Sequence, residues 1–443
     1  MVDYLDLSIE QWNDVKLRLV PISQNTFALA VSDLSAEVTG GSAASDAFGR
    51  QRVSEPYVLF DTVNQYGMSP LFWETKTVGG GDTTHLPNES SVQMDVDVAS
   101  GDSVIRQSKR YLRYQPGKSQ LIFLTGLLGS GNANQVKNVG YFDDNNGIFF
   151  QVNEDGVGVV KRSYITGAAE DTRVEQADWN IDAMNGTGIS GHTLDITKAQ
   201  IFVIDLEWLG VGSVRCGFVI DGTLHYVHQF NHANHISTVY MTTANLPLRY
   251  EITNSDASVA SSMKQICAMV ASEGGREETE LTFSDLNTTL RTVADAELPV
   301  IAIRPALNYP AGGTIENRAY MIPVKWSLYT EDGPLYYKLV HGCTVSGGAW
   351  ANVDGDNSGM MINKTGTSLA VSGIVLDAGV IAAKAGNATQ RVPGGESGAN
   401  PSDLVLSLNI DGDVGTEFAI VCKRLTATST DTACSVTWKE VSS

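Results

Sequence analysis

The sequence predicts an all-β protein: two β-sandwich domains, jelly-roll or Greek-key-like, entered by an extended N-terminal arm. Two observations carry that prediction. Short segments alternate apolar and polar residues, as strands with one wet face do. Between them stand Gly, Asn and Asp clusters that tolerate turn conformations. The length of 443 residues suits an arm of residues 1–46 and domains of 47–285 and 286–443.

The elements follow in order. Leu5, Ile9, Trp12, Val15 and Leu19 recur at three- and four-residue steps, which predicts a short helix or helix-strand arm, with Asp3 and Ser8 as caps. The small and polar residues from Ser23 to Ser45 have too little apolar surface for a core and read as an extended arm or linker. The strand pattern begins near Phe48, in SVQMDVDV, SQLIFLTGLL, GIFFQVN and GVGVVKRSY, with turns at PGK (116–118), DDNNG (143–147) and NEDG (153–156). KAQIFVIDLEWLG, VRCGFVIDG and LHYVHQF then form a meander, the strongest sheet signal in the chain. LPLRYEITN and KQICAMVASEGG extend this block, and the charged, Thr-rich stretch 276–299 separates it from the next. The second block opens with IAIRPAL, AYMIPVKWSLYT and PLYYKLVHG and closes with TEFAIVCKRL and CSVTWKEV. No fixed-period repeat suggests a propeller or solenoid.

Composition narrows the function classes. Hydrophobic residues make up 42 %, enough for sizeable cores. Thirty basic against fifty acidic residues give a net charge of −20, which argues against a surface that tracks nucleic acid. No apolar run is long enough for a transmembrane helix. The acidic N-terminus does not read as a secretory signal, so folding in a cytoplasm is expected. Cys216, Cys267, Cys343, Cys422 and Cys434 lack CxxC spacing and read as buried thiols, with a Cys422–Cys434 bridge as the one geometric exception.

Candidate chemistry is thin. His225, His228, His232 and His235 offer two HxxH spacings for a metal, but strand residues three apart point to opposite faces. DGDNSG, with Asp354 and Asp356, has calcium-loop character without the EF-hand frame, and an Asx turn explains it as well. Asp205 and Glu207 share a strand face, as a glycosidase would use, or simply as acids on a solvent face. No nucleophile elbow or phosphate loop is present. RQSKRYLRY (106–114), read as a strand, puts Arg106, Ser108 and Arg110 on one face and Lys109 and Arg113 on the other, where they would pair with carboxylates of a neighbouring strand or subunit. Trp326, Tyr329, Tyr336, Tyr337 and Trp350 could stack on sugars, though their alternation assigns most of them to the core. The expectation is a non-enzyme without cofactor or metal.

AFGRQRVSEPYVLFDT (47–62), LFWET (71–75), RYLRYQPGKSQLIFLTG (110–126), GYFDDNNGIFF (140–150), ITKAQIFVIDLEWLGVGSVRCGFVIDG (196–222) and NLPLRYEI (245–252) resemble a family of virion structural proteins of tailed bacteriophages. The resemblance implies a capsid-decoration, head-fibre or tail component, assembled in the host bacterial cytoplasm with other virion proteins. It implies no catalytic residues. In that setting the arm would add to a neighbour's sheet edge, with Phe48, Tyr57 and Phe60 as anchors and Arg50 and Arg52 meeting acidic groups. A homo-oligomer, a trimer first, without nucleic-acid or membrane partners, is the expected assembly. A receptor- or carbohydrate-binding module of a tail fibre is the alternative.

Overall fold

The computed structural model describes residues 18–23, 26–30, 56–277, 280–331, 333–382, 394–399, 404–426 and 428–441. The chain divides into two compact units, 1–42 and 43–443. In the first, Arg18–Ser23 pairs antiparallel with Thr26–Ala30. The stretch from Ser23, read as an extended arm or linker, contains a strand at Thr26–Ala30. Residues 1–17, where the helical spacing falls, lie outside the described residues.

The larger unit is all-β and holds two sandwich-like lobes, as the turn rhythm predicts. In the first lobe a seven-stranded sheet runs from Glu170–Glu175 at one edge to Trp73–Val78 at the other. An eight-stranded sheet lies against it, with the predicted meander of Gln200–Leu206, Val214–Ile220 and Thr223–Phe230 at one end. Their inner faces meet in one apolar core, where Tyr141, Phe150 and Tyr250 of the first sheet pack with Ile122, Phe202 and Phe218 of the second. The predicted turns behave as their residues require. Asp143 Oδ1 accepts the amides of Asn145 and Asn146, both at 2.8 Å, and closes DDNNG as an Asx turn. Gly147 ends that turn at φ +148°, and a Cβ there would lie 2.1 Å from Phe142 Cβ, so the hairpin admits only glycine.

The second lobe stacks a five-stranded on a seven-stranded sheet. Its long strand Thr430–Val441 shows why such sequences become strands: burial alternates residue by residue, with Thr432, Cys434, Val436 and Trp438 inward and Asp431, Ser435 and Lys439 outward. Trp438 packs in a core with Trp326, Tyr337, Leu339 and Ile420. Within the charged stretch 276–299, Leu281–Leu286 and Arg291–Val293 are strands, both paired with Thr430–Val441. Cys422 and Cys434 sit in opposite sheets and are free thiols, as are the other three cysteines. Burial pushes the Cys434 thiol well up, which keeps it inert.

The two lobes touch through the outer face of the seven-stranded sheet of the first. Glu74 Oε2 accepts the Ile410 amide at 3.0 Å, and Lys76 pairs with Asp411. The Arg318 guanidinium lies 5.0 Å from the Tyr111 ring centre, and that of Arg110 lies 5.7 Å from the Tyr320 ring.

Candidate binding site

The basic strip Arg106–Tyr114 is where lobe contact and site begin. It is not a single exposed strand: the strand ends at Ser108. Arg106 turns inward, 1 % exposed, and donates to Gln265 Oε1 (2.6 Å), Thr75 Oγ1 (2.7 Å) and the Met68 carbonyl (2.7 Å). Neutral oxygens, not the expected carboxylates, hold it, and burial lowers its pKa to about 10. Arg113 reaches Glu280 at 3.6 Å. Lys109 takes the remaining direction, into a cleft of about 730 Å³ between the lobes.

Five charged side chains line that cleft from distant parts of the chain: Glu74 and Lys109 from the first lobe, Arg304, Asp413 and Glu417 from the second. Glu417 Oε2 accepts the Val345 amide at 2.6 Å and Oε1 accepts from Arg304 Nη1 at 3.3 Å. The Arg304 guanidinium in turn lies 4.2 Å from the centre of the Trp350 ring, which fixes its plane. Burial pushes the carboxyls of Glu74 and Glu417 up; the Ile410 and Val345 amides, respectively, oppose it. Burial lowers the Lys109 ammonium, with Glu74 opposing. His341 donates from Nε2 to the Val405 carbonyl (3.0 Å), and burial holds the ring below its usual pKa, so it is neutral. Leu71, Leu307 and Met361 supply apolar wall between these groups. Apolar surface with a few convergent polar groups at a lobe boundary is the usual character of a ligand site.

The sequence-predicted candidates go elsewhere. Phe48, Arg50 and Arg52 lie outside the described residues. Tyr57 is exposed on the strand Tyr57–Val63, whereas Phe60 is buried in the first lobe's own core, edge-on to Phe72 and Trp73. Asp205, expected on a solvent face, is fully buried and accepts from Ser119 Oγ (3.0 Å), Arg215 Nη2 (2.5 Å) and Tyr226 OH (2.6 Å). A carboxylate held by three donors is a structural tie. Asp354 accepts the amides of Asp356 and Asn357 at 2.9 and 3.2 Å, the geometry of an Asx turn. Trp326 and Tyr337 are core, and Tyr336 donates to Glu297 at 2.5 Å.

The four histidines separate. His225 packs against His192, His228 Nδ1 accepts the Asn180 amide, and His235 is exposed. The ring of His232 stacks on Tyr240 at 3.9 Å and its Nδ1 donates to the Gly212 carbonyl at 2.6 Å. Among the described residues no three His, Cys, Asp or Glu side chains gather as a metal-ligand set. Burial lowers His228 and His232 to about 4 each. Between pH ~6.5 and ~4 the unfolded chain then binds protons that the folded chain refuses, so stability falls as pH drops through that window, on the order of 1–2 kcal/mol per ring. Denaturant midpoints measured across it should decline, and His232→Gln should flatten part of the decline; an unchanged slope would sink the assignment.

No protein-family model matches the sequence, and no curated protein matches it. Among solved structures, several are similar over about half of this chain. A β-glucanase of Bacillus licheniformis is similar over 49 % of this chain and 99 % of its own, at 10 % identity and TM-score 0.31. A glycoside hydrolase family protein from Mycobacterium thermorestibile covers 48 % and 99 %, at 9 % identity and TM-score 0.34. A legume lectin-like domain from Entamoeba histolytica covers 49 % and 98 %, at 13 % identity and TM-score 0.29. At this level the likeness is one of β-sandwich fold alone, over about half of the chain.

Proposed function

We propose that the protein is a non-catalytic binding protein whose interlobe cleft takes a polyhydroxylated, carbohydrate-like ligand. The observation that carries this reading is the composition of the cleft. Lys109 and Arg304 stand with Glu74, Glu417 and Asp413, so the cleft offers both donors and acceptors over an apolar floor. A sugar offers the matching surface, with hydroxyls that donate and accept and C–H faces that pack on aliphatic side chains. Binding without turnover fits the two glutamates of the cleft being held by protein donors, Glu74 by the Ile410 amide and Glu417 by Arg304 and the Val345 amide, while Asp205 lies outside the cleft in a buried network.

A glycan array probed with the labelled protein tests the reading. Binding to a subset of oligosaccharides is expected, weakened roughly tenfold or more by Arg304→Ala, which leaves Glu417 short of a donor. Trp350→Ala should weaken it less, since it removes only the support under Arg304. A silent array would overturn the proposal.

A second reading, a structural component of a phage particle assembled with other virion proteins as a homo-oligomer, is favoured by one observation. Tyr57 and Val58, 46 % and 47 % exposed, lie on a strand paired on one side only among the described residues, directly after the segment that holds Phe48, Arg50 and Arg52. A partner strand could extend that edge. Deleting residues 1–55 should abolish incorporation into particles; unchanged copy number would end this reading.

A further inference from the structure

We propose that Glu74 and Lys109 act as a clamp for the vicinal diol of a neutral sugar ring; this rests on the cleft being a carbohydrate site and names what it recognises. Glu74 stands on the strand Trp73–Val78, and Lys109 directly follows the antiparallel neighbour Ser103–Ser108. Trp73 pairs with Ser108 and Glu74 with Gln107, so Lys109 is the diagonal neighbour of Glu74 on the same outer face. Such diagonals are about 7–8 Å apart at the backbone. Opposite charges at that spacing commonly close into an ion pair, yet these two form none among the described residues.

Each keeps unused bonding capacity instead. Glu74 Oε2 is taken by the Ile410 amide, which pins the carboxylate while Oε1 takes no hydrogen bond from a described residue. The backbone amide of Lys109 donates to the Phe72 carbonyl at 2.9 Å and fixes the chain there, while its ammonium makes no hydrogen bond to a described residue. Both line the cleft, and burial moves both toward their neutral forms, as groups with reduced hydration do. A held acceptor and a nearby ammonium with open donors, in a partly dry site, suit a bridging group that donates at one end and accepts at the other.

Ligand charge decides the class. A uronic or sulfated sugar would gain from Lys109 and Arg304 but be repelled by Glu74 beside the first and by Glu417 and Asp413; an amino sugar would gain from the three carboxylates but be repelled by Lys109 and Arg304. A neutral diol meets no repulsion: one hydroxyl donates to Glu74 Oε1 while its neighbour accepts from Lys109 Nζ. Leu71 from the first lobe and Leu307 from the second are placed to cover the ring's C–H faces.

The test uses the full chain, titrated calorimetrically with neutral glucan, mannan and galactan oligosaccharides, with the same sugars after periodate cleavage of their vicinal diols, and with an oligogalacturonate. Binding of at least one neutral sugar is expected, lost after periodate and weakened roughly tenfold or more in Lys109→Met and in Glu74→Gln. Glu74→Gln keeps an oxygen for the Ile410 amide, and thermal midpoints of both variants should stay near the parent's. If periodate-treated sugar binds as well as the untreated, or both variants bind as the parent does while Arg304→Ala does not, the clamp is wrong and the cleft reading survives. Preference for the oligogalacturonate likewise overturns the clamp alone. If no sugar binds the parent, both fall.

Discussion

Asp205→Ala should destabilise the first lobe by about 3–5 kcal/mol, the cost of leaving a buried cation without its counter-charge. Asp205 is fully buried and Arg215 is 3 % exposed, with the guanidinium also 4.4 Å from the centre of the Tyr226 ring. Removing the carboxylate takes away the acceptor of Ser119, Arg215 and Tyr226 at one stroke. Asp205→Asn keeps an oxygen and should cost less, because it removes charge but not every hydrogen bond. Urea unfolding of the two variants measures the difference. The same pair speaks to function: ligand binding per folded molecule should be unchanged in Asp205→Asn. A variant of full stability that lost a hydrolytic activity would instead restore a catalytic role to this residue.

Trp438→Ala is expected to cost about 3–5 kcal/mol, and to do so in the second lobe. The indole is completely buried against Phe283 and its neighbours, and its Nε1 donates to Glu440 Oε1 at 2.8 Å. Glu440 is itself buried and accepts from Ser358 Oγ at 2.5 Å and the Gly359 amide at 2.9 Å, with no cation among these partners. Losing the indole therefore opens a cavity and takes one of three donors from a buried carboxylate. The two lobes have separate cores, so the variant's unfolding should split into two steps, with the later one near the parent's midpoint. A single transition displaced as a whole would mean that the lobes unfold together through contacts such as Glu74–Ile410 and Lys76–Asp411.

The strands were legible because their signals are local. CSVTWKEV states its own face alternation within a few residues, GIFFQVN a short apolar run bounded by turn residues, and DDNNG its turn chemistry in five. The site was not legible for the opposite reason. Glu74 and Glu417 are far apart in sequence, and nothing near either marks it as facing the other across a lobe boundary. Asp205 misled in a specific way. Two acids on alternate positions do share a strand face, but a face turned away from one core can still be buried, and Arg215 and Tyr226 on the next two strands make that tolerable. The basic strip misled similarly. Its letters predict charge pairs, whereas Arg106 satisfies its guanidinium on three neutral oxygens, a solution that composition cannot signal.

The strand Thr430–Val441 has a consequence for biosynthesis. Leu281–Leu286, Arg291–Val293 and Tyr320–Thr330 all hydrogen-bond to it, and every one of them leaves the ribosome first. Until those twelve residues emerge, three strands wait with open backbone edges, and Trp326 and Leu328 lack the facing Val436 and Cys434. A nascent chain stalled before Thr430 would carry a finished first lobe and a sticky, half-built second one. The five-stranded sheet of the second lobe is thus completed from its middle by the last of its strands to be made.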